Sequence, residues 1–294
     1  MKAIWKAHKE KYLLIMPFAV IFITFTVIPV FASIVISFTS FNMLELPRFV
    51  GFRNYIDLMV NDDVFLIAVK NTLLFALITG PISYIMCFVF AWLINELTPK
   101  VRAIMTLVFY APSISGNAYL IWKLIFSSDM YGYANAWLLD YGLTDVPILW
   151  FDTKKYVLPI LIIVQLWLSL GVSFLAFIAG LQNVDRTLYE AGQIDGIRNR
   201  WQELWFITLP SMRPQLLFGA VMQITGSLSV SQISMELAGF PSVEYAGHTI
   251  LTHLHDYGFI RYEMGYASAI ATMLFFMMLF TNIVVQKALR RVGV

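Results

Sequence analysis

The sequence between residues 156 and 235 decides the fold, because two long apolar runs there flank one charged segment. The first run is YVLPILIIVQLWLSLGVSFLAFIAGLQNV (156–184), and the second is PQLLFGAVMQITGSLSVSQISM (214–235). Neither run contains Asp, Glu, Lys or Arg, whereas the segment between them, DRTLYEAGQIDGIRNRWQELWFITLP (185–210), carries charges of both signs. A hydrocarbon core about 30 Å thick is spanned by a helix of roughly 20 apolar residues. We therefore predict two transmembrane helices joined by a solvated segment.

Four further uncharged runs of similar length extend this pattern over the whole chain. They lie between Tyr12 and Met43, Asn71 and Asn95, Ala103 and Trp122, and Met264 and Gln286. The chain is 59% hydrophobic and only 13% charged, whereas soluble domains carry about 25% charged residues. We therefore predict an all-α membrane protein with six transmembrane helices, in which residues 1–294 form a single transmembrane domain.

The basic residues are distributed unevenly over the loops. Thirteen of the 20 Lys and Arg residues lie before the first run, between the second and third runs, in residues 185–213, or after the last run. Loops on the cytoplasmic side of a membrane carry an excess of Lys and Arg. This bias predicts that both the N-terminus and the C-terminus are cytoplasmic, and that residues 185–213 form a cytoplasmic loop.

The cytoplasmic loop has the features of two short helices joined by a turn. Asp185 can cap a first helix, Asp195 and Gly196 form a turn or C-cap pair, and a second helix can run to about Leu209, before Pro210. The first helix has a compact apolar edge, on which the contact residues are small. Such an edge allows a partner to approach the backbone closely.

Three blocks of this loop resemble the EAA loop of bacterial ABC import permeases. The blocks are Glu190-Ala191-Gly192, Asp195-Gly196 and Ile207-Thr208-Leu209-Pro210. The resemblance extends to residues 49–55 and 265–269, and it covers essentially the whole chain. It points to the carbohydrate-uptake branch, similar to the maltose and glycerol-phosphate type membrane subunits, and it implies the architecture of a type I ABC importer permease.

The resemblance implies that the loop docks onto a separate ATPase subunit and couples ATP hydrolysis to transport. Glu190 would be the polar anchor, Ala191 and Gly192 the close-packing surface, and Gly196 the turn. The implied coupling residues are Glu190, Ala191, Gly192, Asp195, Gly196, Ile207, Leu209 and Pro210. A surface helix that merely joins two spans is the alternative, and composition alone favours it. The spacing of the three blocks favours docking.

The resemblance also implies a set of partners in the bacterial cytoplasmic membrane. They are a second, related permease that completes a heterodimer, two ATPases that bind ATP and Mg, an extracellular solute-binding protein, and a sugar or oligosaccharide. The chain lacks the Gly-rich phosphate loop followed by Lys-Ser or Lys-Thr. We therefore expect a transport subunit that is not an enzyme and binds no cofactor itself. A net charge of +2 with scattered basic residues gives no indication of nucleic acid binding.

Polar side chains inside two of the runs are candidates for the substrate path. Gln165, Ser169 and Ser173 recur every four residues and share a helix face. In the fifth run the candidates are Gln223, Thr225 and Ser229. The alternative for each residue is an interhelical hydrogen bond. In the permeases that the chain resembles, the helices before and after the EAA loop contact the sugar, and this ranks Gln165 and Ser169 first, with Thr225 and Ser229 next.

Two other classes of membrane protein and a metal site find little support in the sequence. Ion-coupled transporters place ionisable groups at mid-membrane, but all six runs lack them. Intramembrane enzymes require catalytic motifs that the runs also lack. His248, His253 and His255 lie close to Asp256, but their spacing matches no ordinary zinc pattern, so we predict no metal site. The one cysteine, Cys87, is interpreted as a packing residue.

Overall fold

The computed structural model describes residues 2–291, with side chains from residue 11 to residue 289. The basic side chains before residue 11 and after residue 289, which contribute to the predicted orientation, lie outside the described residues. The α-helices are α1 (Lys2–Phe22), α2 (Ile28–Ile36), α3 (Arg53–Val60), α4 (Asp63–Asn95), α5 (Pro99–Ile114), α6 (Tyr119–Ile125), α7 (Tyr133–Asp140), α8 (Lys154–Leu168), α9 (Val172–Gln182), α10 (Arg186–Ile194), α11 (Arg200–Glu203), α12 (Leu209–Ser211), α13 (Arg213–Leu228), α14 (Gln232–Ala238), α15 (Ile250–His255) and α16 (Met264–Arg291).

Short irregular elements join several of these helices. Three π-helical segments (Ile23–Val27, Leu204–Thr208 and Asp256–Ile260) and one 3₁₀ turn (Val243–Tyr245) occur in the described part of the chain. Two short strands, β1 (Thr39–Ser40) and β2 (Arg48–Phe49), pair antiparallel. Because the two strands are only two residues long each, the fold is essentially helical, as the sequence predicts.

Five helical stretches are long and apolar enough to cross a membrane. They are Lys11–Ile36, Asp63–Asn95, Lys154–Gln182, Arg213–Ala238 and Met264–Leu289. The bent pair α5 and α6, whose axes differ by 82°, makes a sixth span if it is counted as one. These stretches coincide with the six uncharged runs. The side of the membrane on which each end lies stays a prediction.

Three of the spans are interrupted, although the sequence runs are continuous. The third is broken at 115–118, between α5 and α6; the fourth at 169–171, between α8 and α9; and the fifth at 229–231, between α13 and α14. Serine and glycine supply most of the residues at the three breaks, and both residue types favour turns over helix interiors. The length of an apolar run thus predicts the span but not its continuity.

The described residues form two compact units. The first contains the residues up to Asp63 and His253–Phe275. In it the Asn54 side-chain amide donates to the carbonyls of Ser37 (2.8 Å) and Thr39 (3.0 Å), which fixes α3 against the strand pair. The Asp62 carboxylate accepts hydrogen bonds from Tyr266 (2.9 Å) and Tyr257 (3.4 Å) and lies 3.0 Å from Nε2 of His253.

The second unit contains Val64–Thr252 and the residues from Phe276 onwards. Its core forms where α4, α9 and α13 pack through fully buried side chains such as Phe174, Phe177 and Leu216. Lipid tails are as apolar as leucine, so close van der Waals packing and interhelical hydrogen bonds hold such helices together. The candidate functional residues all belong to this unit.

Candidate coupling segment and substrate path

The coupling segment, which we define as residues 185–211, begins at a capped helix. The Asp185 carboxylate accepts a hydrogen bond from the backbone N–H of Thr187 (3.0 Å), and α10 follows as Arg186–Ile194. This hydrogen bond also lowers the pKa of Asp185, because it stabilises the carboxylate. The predicted cap is confirmed.

A glycine turn ends α10. The N–H of Ile197 donates to the carbonyl of Gly192 (2.9 Å), and Gly196 has a φ of +95°. Helices commonly end with a glycine in this left-handed region, because a Cβ there is strained. A Cβ built on Gly196 would meet no atom within 4 Å. The turn therefore needs glycine for its backbone conformation, not for space.

Gly192 lies on the inner side of the segment. It is buried, and a Cβ built there would lie 2.7 Å from Cδ1 of Ile207 and 3.0 Å from Cδ1 of Ile197. The absent side chain lets α10 pack against the π-helical segment Leu204–Thr208. Tyr189 adds a hydrogen bond to Thr208 at 2.9 Å. The resemblance implies that Gly192 forms part of the close-packing surface; here the residue packs inside the loop, and its part in docking stays a prediction.

The outward face of α10 consists of other residues. Glu190, Ala191 and Asp195 are exposed, and Ile194 is 87% exposed. Of the remaining predicted residues, Ile207 is buried, Leu209 is half-buried and Pro210 is exposed.

The second helical part of the segment continues through Pro210 to Ser211. The predicted end before Pro210 is therefore wrong by a short distance. Proline is tolerated in the first turn of a helix, where its missing N–H is not required. Here, however, the helical backbone is continuous from Arg200 through the π-helical segment to Ser211, so Pro210 lies inside it and contributes no backbone N–H.

The coupling segment also contacts the end of α4. Arg200 binds Glu96 through two pairs of atoms, 2.7 Å and 3.1 Å apart, and also approaches Glu203 at 3.4 Å. The rings of Trp92 and Trp201 lie 5.3 Å apart. A cavity of about 700 Å³ adjoins these residues and is lined mainly by polar side chains, including Arg102. Sequence reasoning missed these contacts, since the residues are about a hundred positions apart.

Three of the candidate path residues join helices. The carbonyl of Ser169, at the break between α8 and α9, accepts hydrogen bonds from Nε2 of Gln223 (3.2 Å) and Sγ of Cys87 (3.4 Å). Oγ of Ser173 donates to the carbonyl of Gly219 (3.3 Å). Ser173 is 2% exposed, and Ser169 and Gln223 are each 9% exposed. The structure thus shows the interhelical contacts that are the alternative for the Ser173 and Gln223 side chains, whereas Ser169 takes part through its backbone carbonyl and its hydroxyl donates to the carbonyl of Leu166.

Two other candidates lie on an open face of α13 and the break that follows it. Thr225 and Ser229 are exposed, together with Met222, Gly226 and Gln232. Met222, Thr225 and Gly226 lie three and four residues apart on one face of α13, whereas Ser229 lies in the break and Gln232 begins α14. Gln165 on α8 is half-buried. The structure therefore separates the six candidates into an exposed pair, a half-buried glutamine and three residues that join helices.

The broken third span adds a polar element that the sequence analysis did not identify. A Cβ built on Gly171 would lie 3.7 Å from Cβ of Ser113, so the third and fourth spans meet beside their breaks. Ser115, Gly116 and Asn117 in the break are exposed. Discontinuous helices line the substrate sites of many transporters. The turn-forming composition of this stretch was the available signal.

Three of the four histidines lie in the last predicted outer loop. Among the described residues, no group of three or more His, Cys, Asp or Glu side chains is arranged to hold a metal ion. His253 lies instead against the Asp62 carboxylate. Burial lowers the pKa of His253, although the Asp62 carboxylate opposes this effect.

Comparison with known proteins places this geometry in context. Residues 97–294 match the family described as "Binding-protein-dependent transport system inner membrane component". The "Probable ABC transporter permease protein YesP" of Bacillus subtilis is 32% identical, with 92% of this chain and 87% of that protein covered. The "Arabinooligosaccharides transport system permease protein AraP" of the same species is 30% identical, with 94% and 87% covered.

A lactose permease and a solved transporter extend the comparison. The "Lactose transport system permease protein LacF" of Rhizobium radiobacter is 31% identical, with 74% of this chain and 72% of that protein covered. A chain of the bacterial alginate ABC transporter, solved with an alginate pentasaccharide-bound periplasmic protein, has a TM-score of 0.79. That chain is 23% identical, and 98% of each chain is covered. This structural likeness shows a shared fold.

Proposed function

Because this chain belongs to the family of binding-protein-dependent transport system inner membrane components, we propose that it forms half of the path of a sugar or oligosaccharide importer. The observation that carries the proposal is the capped, glycine-turned coupling segment with an exposed tip. Relatives named for arabinooligosaccharide and lactose transport support a carbohydrate substrate.

The exposed tip of α10 is the surface that an ATPase subunit contacts. Glu190 offers a carboxylate, and Ile194 and Ala191 offer a small apolar surface beside it. Two such ATPases bind ATP and Mg and supply the energy. Because the Ile207 side chain packs against the backbone of Gly192, a push on α10 passes to the π-helical segment Leu204–Thr208 and on to α12 and α13.

The path for the substrate follows the open face of α13. Thr225 and Ser229 present hydroxyl groups there, and Asn117 presents an amide in the break of the third span. Hydroxyl and amide groups both donate and accept hydrogen bonds, as sugar hydroxyls do. An uncharged face binds a neutral solute weakly enough to release it. A second, related permease supplies the other half of the path, and an extracellular solute-binding protein delivers the sugar.

Uptake by the reconstituted complex tests the path. The importer, in proteoliposomes with its binding protein, is supplied with radiolabelled arabino- or galactose-containing oligosaccharides and with ATP inside. We expect Thr225→Ala and Ser229→Ala together to raise the KM for uptake, because hydroxyl contacts are lost. The control Ser173→Ala removes a hydroxyl that is bonded to Gly219 and should leave KM unchanged.

The same preparation tests the class of transporter. Uptake must require ATP and the added ATPase subunits. Uptake driven by an ion gradient alone would exclude the proposal, and an unchanged KM in the double variant would exclude the path along α13.

A further inference from the structure

We propose that α4, the second span, transmits the movement of the coupling segment to the loop that precedes α15. This inference rests on the proposed function, because it names the element that carries the coupling. From Val64 onwards α4 lies in one compact unit with the coupling segment and with that loop. It contacts both of them, at opposite ends.

The inner end of α4 is attached to the coupling segment by two contacts. Glu96, one residue beyond the helix, forms a two-point ion pair with Arg200 at 2.7 and 3.1 Å. Bidentate Arg–carboxylate pairs fix orientation as well as distance. Trp92, one turn earlier in the helix, lies 5.3 Å from Trp201. A displacement of α11 must therefore displace α4 or break both contacts.

The outer end of α4 is attached to the segment 245–250. Nδ2 of Asn71 donates to the carbonyls of Tyr245 (2.9 Å) and His248 (3.0 Å). The next residue, Thr72, accepts a hydrogen bond from the N–H of Ile250 through Oγ1 at 2.9 Å. Thr72 is 2% exposed, so this contact has little competition from water. Two adjacent side chains thus hold the loop that leads into α15.

The continuity of α4 distinguishes it from the helices that flank the coupling segment. The fourth span is broken at residues 169–171 and the fifth at residues 229–231, so neither passes a displacement rigidly over its full length. The helix α4 runs from Asp63 to Asn95 without a non-helical residue, although Pro81 lies inside it and removes one backbone hydrogen bond. At 1.5 Å per residue, about 37 Å separate Asn71 from Glu96, so the two ends cannot interact directly.

A contact near the middle keeps α4 in register with the breaks. Cys87 donates to the carbonyl of Ser169, and Nε2 of Gln223 lies 3.1 Å from the Cys87 sulfur. A sliding α4 therefore also displaces the point at which the fourth span is interrupted. The helix α4 thereby joins the coupling segment, the break in the fourth span and the loop that precedes α15.

The inner contact is tested by charge reversal in the full importer in proteoliposomes. Glu96→Arg and Arg200→Glu should each lower sugar uptake per ATP hydrolysed by about fivefold, as expected for the loss of an exposed ion pair plus repulsion. The double variant, which restores the pair in the opposite sense, should recover most of the uptake. Lys100→Glu, which reverses a nearby exposed charge outside the coupling segment, is the control for charge and should have little effect.

The outer contact is tested by Asn71→Ala and by Thr72→Val, which keeps the side-chain volume. Each should lower uptake per ATP while ATPase subunits remain bound, and the adjacent Lys70→Ala should not. If Asn71→Ala fails to assemble, the near-isosteric Thr72→Val tests the same contact.

Combining the two ends gives the decisive measurement. Effects of substitutions this far apart normally add. If α4 alone carries the movement, a variant that combines Arg200→Glu with Thr72→Val should show the same uptake per ATP as whichever single variant transports less. Additive losses, or charge reversal without rescue by the double reversal, would overturn the inference. Full uptake in all single variants would overturn it as well.

The same experiment separates this inference from the proposed function. If the unaltered complex shows no ATP-dependent uptake, the proposed function fails. If it transports and the variants behave as independent sites, only the role of α4 fails.

Discussion

Substitution of Gly196 should weaken binding of the ATPase subunit, and the loss should be larger for residues that adopt a positive φ less readily. With φ at +95° and no atom within 4 Å of an added Cβ, the cost of a side chain comes from the backbone alone. For alanine in the left-handed region that cost is about 1–2 kcal/mol. It is greater for the β-branched Val and smaller for Asn, which adopts this region more readily.

These energies translate into a measurable loss of binding. A cost of 1–2 kcal/mol changes an equilibrium about 5- to 30-fold. We therefore expect Gly196→Ala to raise the Kd between the permease pair and its ATPase by up to this factor, with Gly196→Val worse and Gly196→Asn milder. Size-exclusion chromatography of the purified complex, at graded ATPase concentrations, measures retention.

A matched control isolates conformation from added volume. Gly226→Ala adds the same methyl group into open space, but at a φ outside the left-handed region, and retention should be unchanged. Wild-type retention in Gly196→Val would refute the reasoning. A Gly196→Asn variant as damaging as Gly196→Val would show that side-chain volume, not φ, decides.

Three further substitutions test local interactions in the fold. Burial lowers the pKa of His253 below its usual 6.5, so the unfolded state binds more protons below that value. Thermal stability should therefore fall between about pH 7 and 5, and His253→Gln should reduce this slope; an unchanged slope would contradict the burial argument. The Asn135 side chain is fully buried. Its amide nitrogen donates to three backbone carbonyls, and its amide oxygen accepts hydrogen bonds from one backbone N–H and one indole N–H. Asn135→Ala leaves those N–H groups unsatisfied and should destabilise the loop by about 3 kcal/mol, seen as faster proteolysis there. Gln223→Leu removes the bond to the Ser169 carbonyl and should cost about 1 kcal/mol in thermal inactivation; a loss of several kcal/mol would mean that more than this bond had been broken.

Local chemistry made several features predictable. The apolar runs predicted the spans because length and hydropathy alone decide whether a helix can cross a bilayer. Asp185 and Gly196 were predictable as cap and turn, since each acts on the backbone within a few residues of itself.

The candidate path residues show that helical spacing does not predict which side chains a neighbouring helix covers. Helical spacing predicts one face for Ser169 and Ser173, but the break at residues 169–171 separates them, and the spacing does not reveal that Gly219 and Gln223 lie opposite them. Thr225 has the same side-chain chemistry and lies on the open face. Exposure depends on which helix packs nearby, and no single run encodes its neighbour.

The sequence by itself determined that the chain crosses the membrane, where each span lies and where the coupling segment is capped and turned. Only the tertiary structure decided that Gly192 packs inward against Ile207 and that Glu96 meets Arg200. Caps and spans depend on interactions within one segment, so composition and spacing specify them. Contacts between distant segments depend on how the helices pack, and that packing is settled by the whole set of side chains at once.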